Sequence, residues 1–305
     1  MAQIIDGKAL GSRIKDKMRE QIPMLQKQYG RRPSLYIILV GTDEGSLRYV
    51  NNKVKSARAV GMDARLIALE KDVSENELTN IIHVLNEDPL IDGILVQLPL
   101  PKHINEERVV DCIAKDKDVD GFHATNVGKL WQSMHGITPC TPKGIIHLIK
   151  STGIEIKGKT AVVVGRSNIV GKPVAKLLLD EDATVIMTHK KTTNLKEMTL
   201  LADILVVAVG KEKVITADMI KPGAVVIDVG ITRNADGKLV GDVDFEEACK
   251  VAGYITPVPG GVGPLTIAML MKNTMECFLS HAEANSDVAK LWSTIINVRI
   301  GTEQQ

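Results

Sequence analysis

The amino-acid sequence predicts an α/β protein with two lobes, each a parallel sheet with crossover helices. The length of 305 residues exceeds the size at which a single hydrophobic core usually stops growing. Short apolar runs alternate with segments of helical periodicity along most of the chain. In the second half these runs are apolar on both faces, which is typical of parallel strands covered by helices on each side.

The first half opens with an amphipathic helix. Apolar residues recur at helical spacing from Leu10 to Tyr29, and Gly30 ends the pattern. Beyond it, short apolar runs predict strands and periodic segments predict helices. The predicted elements are a strand at 34–40, a helix at 46–60, a strand at 65–69, a helix at 74–85 with the capping-box pattern SENE, and a strand at 93–97.

The second half repeats this alternation with stronger apolar runs, which predict strands at 160–165, 184–187, 204–210 and 224–230. Two prolines interrupt the pattern in TPCTPKG at 138–144, so we place the boundary there. The expected domains are 1–139 and 140–263. A last helix, starting near 264 within the remaining stretch to 305, is long enough to pack back onto the first lobe.

Composition and charge exclude several classes of protein. A hydrophobic fraction of 44% and a charged fraction of 25% are those of an ordinary globular protein. The formal net charge is only +1, so a surface for polyanions is not indicated. Three Phe, four Tyr and two Trp offer little material for stacking on bases. We therefore expect no nucleic-acid partner.

Cysteine spacing and hydropathy indicate the compartment. The four cysteines form no CxxC pair, which argues against both a metal site and a disulfide framework and fits a reducing compartment. The N-terminus lacks the apolar core of a secretion signal, and no apolar run reaches the about 18 residues that a membrane span needs. The expected location is cytoplasmic, without a membrane partner.

A glycine-containing turn in TAVVVGRSNIVGKPVAKLLL predicts a phosphate-binding site. Gly165 ends a buried strand, and Gly171 precedes a helix. In such a turn, backbone amides and the helix N-terminus favour a pyrophosphate. Ser167 stands where the G-x-G-x-x-G fingerprint has its second glycine, so the match is partial. A βα turn without a ligand is the alternative interpretation.

The next strand ends in MTHKK, which favours NADP over NAD. NAD-preferring sites place an acid near this point to bind the ribose hydroxyls, and none is present here. Arg166, together with Lys190 or Lys191, offers cations to a 2′-phosphate instead. Solvated loop lysines are the alternative interpretation of the Lys pair.

Tyr49 and Lys53 are candidate acid–base residues. They lie four apart on the predicted 46–60 helix and therefore share a face. A phenol hydroxyl that touches an amine can hold it and exchange protons with it, and burial favours the neutral amine. An exposed lysine beside a packed tyrosine is the alternative. Short-chain dehydrogenases carry such a pair downstream of the nucleotide turn, whereas here it lies upstream, so that family does not fit.

Three further motifs place polar groups or glycines where ligands bind. Gln97 closes the strand of DGILVQLPLP, at the edge where open α/β sheets bind ligands. Asp120, before a glycine in KDVDGFH, can accept two hydrogen bonds from a planar amidine-like group. The loop PVPGGVGP at 257–264 lets a flat ligand approach the backbone. Structural alternatives are a strand terminus, a turn residue and a helix cap, respectively.

Together these motifs resemble the bifunctional methylenetetrahydrofolate dehydrogenase/cyclohydrolase family. The resemblance extends from about Ile4 to Phe278 and is most specific at the last two of its blocks. In chain order the matching blocks are SLRYVNNKVKSA, DGILVQLPLP, KDVDGFH, TPCTPKG, VVVGRSNIVGKP and PVPGGVGPLTIAML.

The resemblance implies a folate-binding catalytic domain at 1–139, a Rossmann-type NADP-binding domain at 140–263, and a folate cleft between them. It implies oxidation of 5,10-methylenetetrahydrofolate with NADP⁺ and hydrolysis of the methenyl product to 10-formyltetrahydrofolate, in one-carbon metabolism that serves purine and amino-acid biosynthesis. It also implies a homodimer.

By the same resemblance, Lys53 is the acid–base residue of hydrolysis, Tyr49 positions it, Gln97 tunes it, and Asp120 binds the amino-pyrimidinone edge of the pterin. The implied nucleotide contacts are Gly165, Arg166, Ser167, Lys190 and Ile231. The implied substrate contacts are Tyr49, Gln97, Leu98, Asp120, Pro259, Gly260 and Gly261.

The chain departs from the family pattern at three places. Lys115 and Ala124 replace prolines around the loop that carries Asp120, and Lys190 replaces a serine that helps hold the 2′-phosphate. The tail after Phe278 is longer than the family's usual end, which an interface helix would explain.

Two other functions stay open at this point: a dehydrogenase-only relative, disfavoured by the presence of Lys53, and a noncatalytic nucleotide-binding protein. A shikimate-type dehydrogenase with the same two-lobe plan is disfavoured by the proline-rich blocks.

Overall fold

The computed structural model describes residues 1–41 and 44–283. In its first part, β2 has the predicted bounds, and the helices begin a few residues earlier than predicted or end a few later. The elements in chain order are β1 (Gln3–Ile4), α1 (Gly7–Tyr29), β2 (Ser34–Val40), α2 (Glu44–Ala59), β3 (Asp63–Leu69), α3 (Glu75–Glu87), β4 (Gly93–Val96), α4 (Glu106–Cys112) and α5 (Ala124–Trp131).

The second part continues the alternation and ends in a long helix. Its elements are α6 (Cys140–Lys150), β5 (Thr160–Val164), α7 (Gly171–Asp180), β6 (Thr184–Thr188), α8 (Leu195–Leu200), β7 (Ile204–Val207), a 3-10 turn (Ala217–Met219), β8 (Val225–Asp228), β9 (Thr232–Arg233), β10 (Leu239–Val240), α9 (Phe245–Ala248), β11 (Tyr254–Ile255) and α10 (Val262–Glu283).

Two parallel sheets organise these elements, so the predicted α/β class with two lobes is confirmed. The first sheet has the order β3-β2-β4, and both of its pairings are parallel. The second has six strands in the order β1-β11-β8-β7-β5-β6, again with parallel pairings throughout. A small antiparallel hairpin, β9-β10, projects between β8 and α9. Because β6 and β7 lie on opposite sides of β5, the second sheet has a topological switch point at the end of β5.

The N-terminal strand lies in the second sheet, which corrects the assignment of all residues from 1 onward to the first lobe. Gln3 pairs with Tyr254, and Ile4 pairs with Ile255. The Ala2 amide also donates to the Cys249 carbonyl at 2.7 Å. A two-residue strand carries no periodicity of its own, so the sequence pattern could not place it.

Local capping chemistry sets the helix bounds. The Asp6 side chain accepts from the Ala9 amide at 2.8 Å, so α1 begins at Gly7 rather than at Leu10. The helix ends as predicted at Gly30, whose φ of 71° is left-handed. Ser74 accepts from the Glu77 amide at 3.1 Å, as the capping-box pattern predicts for α3.

The final helix joins the two lobes. Helix α10 packs against α1 and α6 and also contacts β2, β4 and α2 of the first lobe. The largest cluster of buried apolar side chains accordingly runs through both lobes. The expected interface helix after Phe278 falls mostly on residues 284–305, outside the described residues.

A buried polar network fixes the end of this helix. The Arg31 guanidinium donates to both carboxylate oxygens of Asp92 at 2.6 and 2.8 Å and lies 4.7 Å from the centroid of the Phe278 ring. His281 Nδ1 lies 3.1 Å from Oδ1 of the same carboxylate. Because the Asp92 side chain is fully buried, these contacts hold α10 firmly on the first lobe.

Within the described residues, no helix combines the length and apolar character that crossing a membrane requires. All four cysteines are free thiols.

Candidate active site

Lys53 and Gln97 meet at the carboxyl edge of the first sheet. Lys53 lies on α2, which packs against β2 and β3, and Gln97 directly follows β4. The backbone amide of Gln97 donates to the Ile38 carbonyl at 2.9 Å, which continues the hydrogen-bond ladder with β2. The Lys53 side chain is 5% exposed, and its Nζ donates to Gln97 Oε1 at 3.0 Å. The structure therefore places the amine out of bulk solvent, held by a neutral acceptor.

Tyr49 lies one helical turn before Lys53 and meets it through the face of its ring. Lys53 Nζ is 4.8 Å from the ring centroid, a cation–π distance. The contact thus differs from the predicted touch between phenol hydroxyl and amine, because the i,i+4 spacing on α2 stacks the ring beneath the amine. Burial, and after it the charge of Asp120, raises the pKa of Tyr49 to about 12. The phenol therefore stays protonated at neutral pH and can act as a donor.

Asp120 belongs to a loop that runs beside β4. The loop is attached to the strand by a parallel bridge between Ile94 and Asp118, and the Ile94 amide donates to the Lys117 carbonyl at 2.8 Å. Burial raises the pKa of the Asp120 carboxyl, while the charge of Lys53 and, after it, the neighbouring Cys140 thiol oppose the rise. The charge of Lys53 therefore acts on the pKa of Asp120.

The turn after Asp120 requires a glycine. Gly121 has a φ of 74°, and a Cβ there would lie 2.7 Å from the Pro139 backbone nitrogen. The loop of Asp120 thus packs directly on the segment that leads into α6.

Sequence reasoning missed the support beneath this loop. Asn273, fully buried on α10, donates through Nδ2 to the Val119 carbonyl at 2.8 Å and to the Thr138 carbonyl at 2.9 Å. Its Oδ1 accepts from Lys143 Nζ at 2.8 Å. A single asparagine therefore ties the loop of Asp120 to the start of α6. The available signal was a polar residue within the apolar run TIAMLMKNTM.

Cys140 is the other missed residue. Its Sγ donates to the Val119 carbonyl at 3.2 Å, next to Asp120. Burial and the neighbouring Asp120 raise the pKa of this thiol well above its usual range. The thiol is accordingly a protonated donor rather than a nucleophilic thiolate.

The remaining predicted substrate contacts form two loops. The Leu98 carbonyl accepts from Gln97 Nε2 at 2.6 Å, so this residue helps to orient the amide. In the second loop, Gly260 is bound to the start of α1 because its carbonyl accepts from the Lys8 amide at 2.9 Å. Gly261 is buried, and its carbonyl oxygen would lie 1.8 Å from a Cβ on Gly7. Pro259, by contrast, is exposed.

The predicted phosphate turn has the geometry of close backbone approach. Gly165 follows β5 with a φ of 124°, and a Cβ there would lie 2.2 Å from the Ala208 carbonyl oxygen. A Cβ on Gly171, at the start of α7, would lie 2.3 Å from the Gly165 carbonyl oxygen. Both positions therefore require glycine, because a Cβ would collide with the chain's own backbone where β5, the turn and α7 approach one another.

Ser167 has a local task that explains why it replaces the second glycine of the fingerprint. Its hydroxyl oxygen accepts from the amides of Val170 at 3.2 Å and Gly171 at 3.3 Å, in the first turn of α7. Arg166 and Ser167 are both exposed at the switch point of the second sheet. The serine thus completes the turn, and the guanidinium is available to an anion.

Lys190 and Ile231 lie at the same carboxyl edge. Lys190 is exposed two residues after β6, in a turn where the His189 amide donates to Thr192 Oγ1 at 3.0 Å. Ile231 follows β8 and is 57% exposed, and its Cδ1 lies 4.0 Å from the Cβ position of Gly263. This isoleucine therefore connects the nucleotide side with the glycine-rich loop of the predicted substrate side.

Comparison with known proteins agrees with this geometry. The family model described as the tetrahydrofolate dehydrogenase/cyclohydrolase catalytic domain matches residues 5–120. The model of the NAD(P)-binding domain of the same enzymes matches residues 139–282. The two matches together cover both lobes of the structure.

Relatives match over nearly the whole chain. The bifunctional protein FolD of Listeria innocua is 55% identical over 276 residues, which are 90% of this chain and 97% of that protein. The crystal structure of the bifunctional FolD enzyme from Campylobacter jejuni superposes with a TM-score of 0.90 at 45% identity, covering 92% of this chain and 99% of that one.

A further solved structure carries ligands. The methylenetetrahydrofolate dehydrogenase-cyclohydrolase of Trypanosoma brucei, described as complexed with NADP cofactor and inhibitor, superposes with a TM-score of 0.89 at 40% identity over 92% of this chain and 99% of that one. With both lobes matched and identity this high, the chain belongs to the tetrahydrofolate dehydrogenase/cyclohydrolase family.

Proposed function

We propose that this chain carries out two consecutive reactions in one cleft: NADP⁺-dependent oxidation of 5,10-methylenetetrahydrofolate to the 5,10-methenyl form, and hydrolysis of that product to 10-formyltetrahydrofolate. Family membership supports the pair of activities, since the relatives are named as bifunctional enzymes. The single observation that carries the assignment of hydrolysis is the 3.0 Å contact between the buried Lys53 amine and Gln97.

The chemistry of the two steps makes different demands on the protein. The oxidation step mainly requires that the donor carbon and the acceptor ring be held at about 3 to 3.5 Å, so it needs no acid or base. Addition of water to the methenyl carbon requires a proton carrier. An amine on the first lobe and a nucleotide on the second can therefore share one bound pterin.

In the hydrolysis step, Lys53 carries the proton. Its amine accepts one proton from the attacking water and returns it to the pterin nitrogen as the bond from that nitrogen to the one-carbon unit breaks. The second water proton leaves to solvent as the formyl carbonyl forms. Gln97 Oε1 orients the amine, and the Tyr49 ring face stabilises its charged form.

Asp120 binds and orients the substrate. Its carboxylate accepts two hydrogen bonds from the amino-pyrimidinone edge of the pterin. Burial raises the pKa of this carboxyl, whereas the charge of Lys53 lowers it, and the two N–H donors of the pterin edge would also favour the ionised form. Leu98, Pro259, Gly260 and Gly261 line the remainder of the folate site.

The second lobe fits a dinucleotide because the exposed turn between β5 and α7 lies at the switch point of the second sheet and at the start of a helix. In the proposed site, this turn holds the pyrophosphate together with Ser167, while Arg166 and Lys190 contact the 2′-phosphate. Ile231 lies against the nicotinamide half. Bound NADP⁺ supplies the acceptor for the oxidation step.

We also propose a homodimer located in the cytoplasm, which supplies one-carbon units to purine and amino-acid biosynthesis. Four free thiols fit a reducing compartment. Family membership supports the homodimer, and sedimentation of the full chain tests it.

The Lys53→Met variant tests the proposed function. Methenyl hydrolysis, followed as decay of the methenyl chromophore, is expected to fall by about 100-fold or more. The oxidation step is expected to survive in large part, because the lysine has no role in it. Lys55→Met is the matched control, since Lys55 lies on the same helix and is exposed.

Hydrolysis at the wild-type rate in Lys53→Met contradicts the assigned role. A wild-type chain that oxidises the substrate without hydrolysing the product is a dehydrogenase only. If the wild-type chain oxidises methylenetetrahydrofolate with neither NADP⁺ nor NAD⁺, the proposed function as a whole is contradicted.

A further inference from the structure

Two buried acids lie at the carboxyl edge of the second sheet and take no part in the chemistry described above. Asp228 is the last residue of β8 and is 2% exposed, and Asp242 follows β10 and is fully buried. Burying a carboxylate is costly unless hydrogen bonds compensate for the loss of water. Their hydrogen bonds therefore indicate what the two groups do.

The Asp242 carboxylate holds the loop after β7. Its Oδ2 accepts from the amides of Val209 at 2.6 Å and Gly210 at 3.0 Å, and its Oδ1 accepts from the Lys211 amide at 2.8 Å. Three consecutive amides thus converge on one side chain that lies 31 to 33 residues later in the sequence. This loop cannot change its conformation without losing charge-assisted hydrogen bonds.

The Asp228 carboxylate holds the loop after β8 and also the backbone of Asp242. Its Oδ1 accepts from the Gly230 amide at 3.0 Å and the Asp242 amide at 2.9 Å. Its Oδ2 accepts from the Val243 amide at 2.9 Å. The two acids therefore act in series: Asp228 fixes the segment that carries Asp242, and Asp242 fixes the loop at 209–211.

Glycines on both sides of the hairpin make room for these carboxylates. A Cβ on Gly230 would lie 2.1 Å from Asp242 Oδ1, and a Cβ on Gly241 would lie 1.9 Å from Asp228 Oδ2. Each carboxylate fills the space in which the side chain of the neighbouring segment would stand. This interlock joins β7, β8 and the β9-β10 hairpin at one edge.

The position of the two loops relative to the phosphate turn gives them a function. The turn after β5 and Lys190 after β6 take the pyrophosphate and adenosine side, so the other half of a dinucleotide extends over β7 and β8. There the two loops present apolar side chains, with Val209 38% and Ile231 57% exposed. A flat ring with one apolar face fits such a wall.

We propose that Asp228 and Asp242 are positioning residues for the oxidation step, because together they fix the loops 209–211 and 230–231 as the wall for the nicotinamide half of NADP⁺. The inference rests on the proposed NADP⁺-dependent function. Burying these carboxylates costs free energy. Burial, and after it the charge of Asp242, raises the pKa of Asp228 to about 6 despite three backbone hydrogen bonds.

Variants at Asp242 test the proposal by calorimetric titration of NADP⁺ into the full chain. In Asp242→Ala all three loop amides lose their acceptor, and the affinity for NADP⁺ is expected to fall about 10-fold or more. Asp242→Asn retains one carboxamide oxygen, which can still serve Val209 and Gly210, so an intermediate loss is expected. The control Asp236→Ala changes an exposed acid in the turn of the same hairpin and is expected to bind NADP⁺ normally.

Two further measurements separate positioning from general damage. Amide hydrogen exchange in the free chain should accelerate at 209–211 in both Asp242 variants, and methenyl hydrolysis should stay within about twofold of wild type because it depends on the first lobe. If Asp242→Ala does not fold, Asp242→Asn retains the test. Wild-type NADP⁺ affinity in Asp242→Asn and Asp242→Ala, or an equal loss of hydrolysis and binding, overturns the proposal. Failure of the wild-type chain to bind NADP⁺ instead contradicts the proposed function.

Discussion

The two sides of the cleft are built by opposite means. On the first lobe, the candidate reactive groups are side chains held by other side chains, as Lys53 is by Gln97 and by the ring of Tyr49. On the second lobe, the candidate ligand contacts lie in turns that depend on glycines, as at Gly165, where a Cβ would collide with the chain's own backbone. The first side therefore depends on which functional groups its side chains carry, and the second depends on glycines that have no side chain.

The two sides also place their buried charges differently. On the first lobe, the charges of Lys53 and Asp120 influence each other directly, since the charge of Lys53 opposes the raised pKa of Asp120. On the second lobe, the carboxylates of Asp228 and Asp242 accept hydrogen bonds from backbone amides of the loops after β7 and β8 and of the segment after β10. In the proposed function, a carboxylate thus contacts the substrate on one side, whereas buried carboxylates organise loops on the other.

The largest expected effect comes from adding one methyl group to the second side. In Gly165→Ala the new Cβ would meet the Ala208 carbonyl oxygen at 2.2 Å, and the φ of 124° disfavours any L side chain. We expect NADP⁺ affinity, measured by calorimetry, to fall about 100-fold or more, in keeping with local strain of about 3 kcal/mol. Methenyl hydrolysis should persist, because the first side is untouched.

Gly158→Ala is the matched control for this change. Gly158 also has a positive φ, of 72°, but no atom lies within 4 Å of the position of its Cβ. Equal NADP⁺ affinities in the two variants would contradict the view that the second side requires a glycine without a Cβ at position 165.

A second test uses pH to measure how much free energy of unfolding is lost when the buried Asp228 carboxyl ionises. Its pKa in the folded chain is about 6, compared with an ordinary value of 3.8, so the folded state holds the proton more tightly. The stabilisation from this group is therefore complete below pH 3.8 and is lost as pH rises through 6. A shift of this size corresponds to about 3 kcal/mol.

Denaturant unfolding at several pH values checks this prediction. The free energy of unfolding of wild type relative to Asp228→Asn should decrease by about 2 kcal/mol between pH 4 and pH 7, since the amide cannot titrate and pH 4 already lies above the ordinary pKa of 3.8. A difference that stays constant with pH would show that Asp228 is not desolvated in the folded chain.

The third test addresses the support of the first side. Asn273→Ala leaves the buried carbonyls of Val119 and Thr138 without this donor, which is expected to cost about 2 kcal/mol of unfolding free energy. The loop of Asp120 should loosen, so the KM for the folate should rise while NADP⁺ affinity stays unchanged. Kinetics and calorimetry on the same variant check both statements.

Thr274→Val provides the matched control. Thr274 is equally buried on the next position of α10, and its hydroxyl donates to the Leu270 carbonyl one turn back in the same helix. It should leave the folate KM unchanged. A folate KM that is unaffected by Asn273→Ala would separate Asn273 from the positioning of Asp120.

The sequence was sufficient for the parts of the molecule that carry a period or a strand-end signal. Lys53 and Tyr49 share a helix face, and Gln97 follows an apolar run, so these residues could be singled out before their contacts were visible. Their roles stay predictions. The contact between the Tyr49 ring and the amine was not predictable, because residue spacing defines a helix face but not the orientation of a ring.

The unpredicted parts depend on contacts between distant segments. Asn273 reaches Val119 across 154 residues, and no local pattern marks such a pair. Asp228 and Asp242 stand in the short runs AVVIDVG and GDVDF, where an acid is indistinguishable from an ordinary strand terminus. Strand β1 has two residues and shows no alternation, so only its pairing with β11 places it in the second sheet.

The smallest expected effect concerns an exposed side-chain charge on the second side. Arg166 is exposed, so water and salt compete with any phosphate for its guanidinium. Arg166→Ala is therefore expected to weaken NADP⁺ by only about 10-fold, or 1.4 kcal/mol, and to leave NAD⁺ nearly unchanged. Because salt screens the contacts of exposed cations with a phosphate, the preference of wild type for NADP⁺ over NAD⁺ should shrink at high salt, whereas the loss in Gly165→Ala should not. Titration of both nucleotides at two salt concentrations checks this, with Lys157→Ala as the control, since Lys157 is exposed and lies before β5, at the opposite end of that strand. Equal losses for NADP⁺ and NAD⁺ in Arg166→Ala would contradict the assignment of Arg166 to the 2′-phosphate.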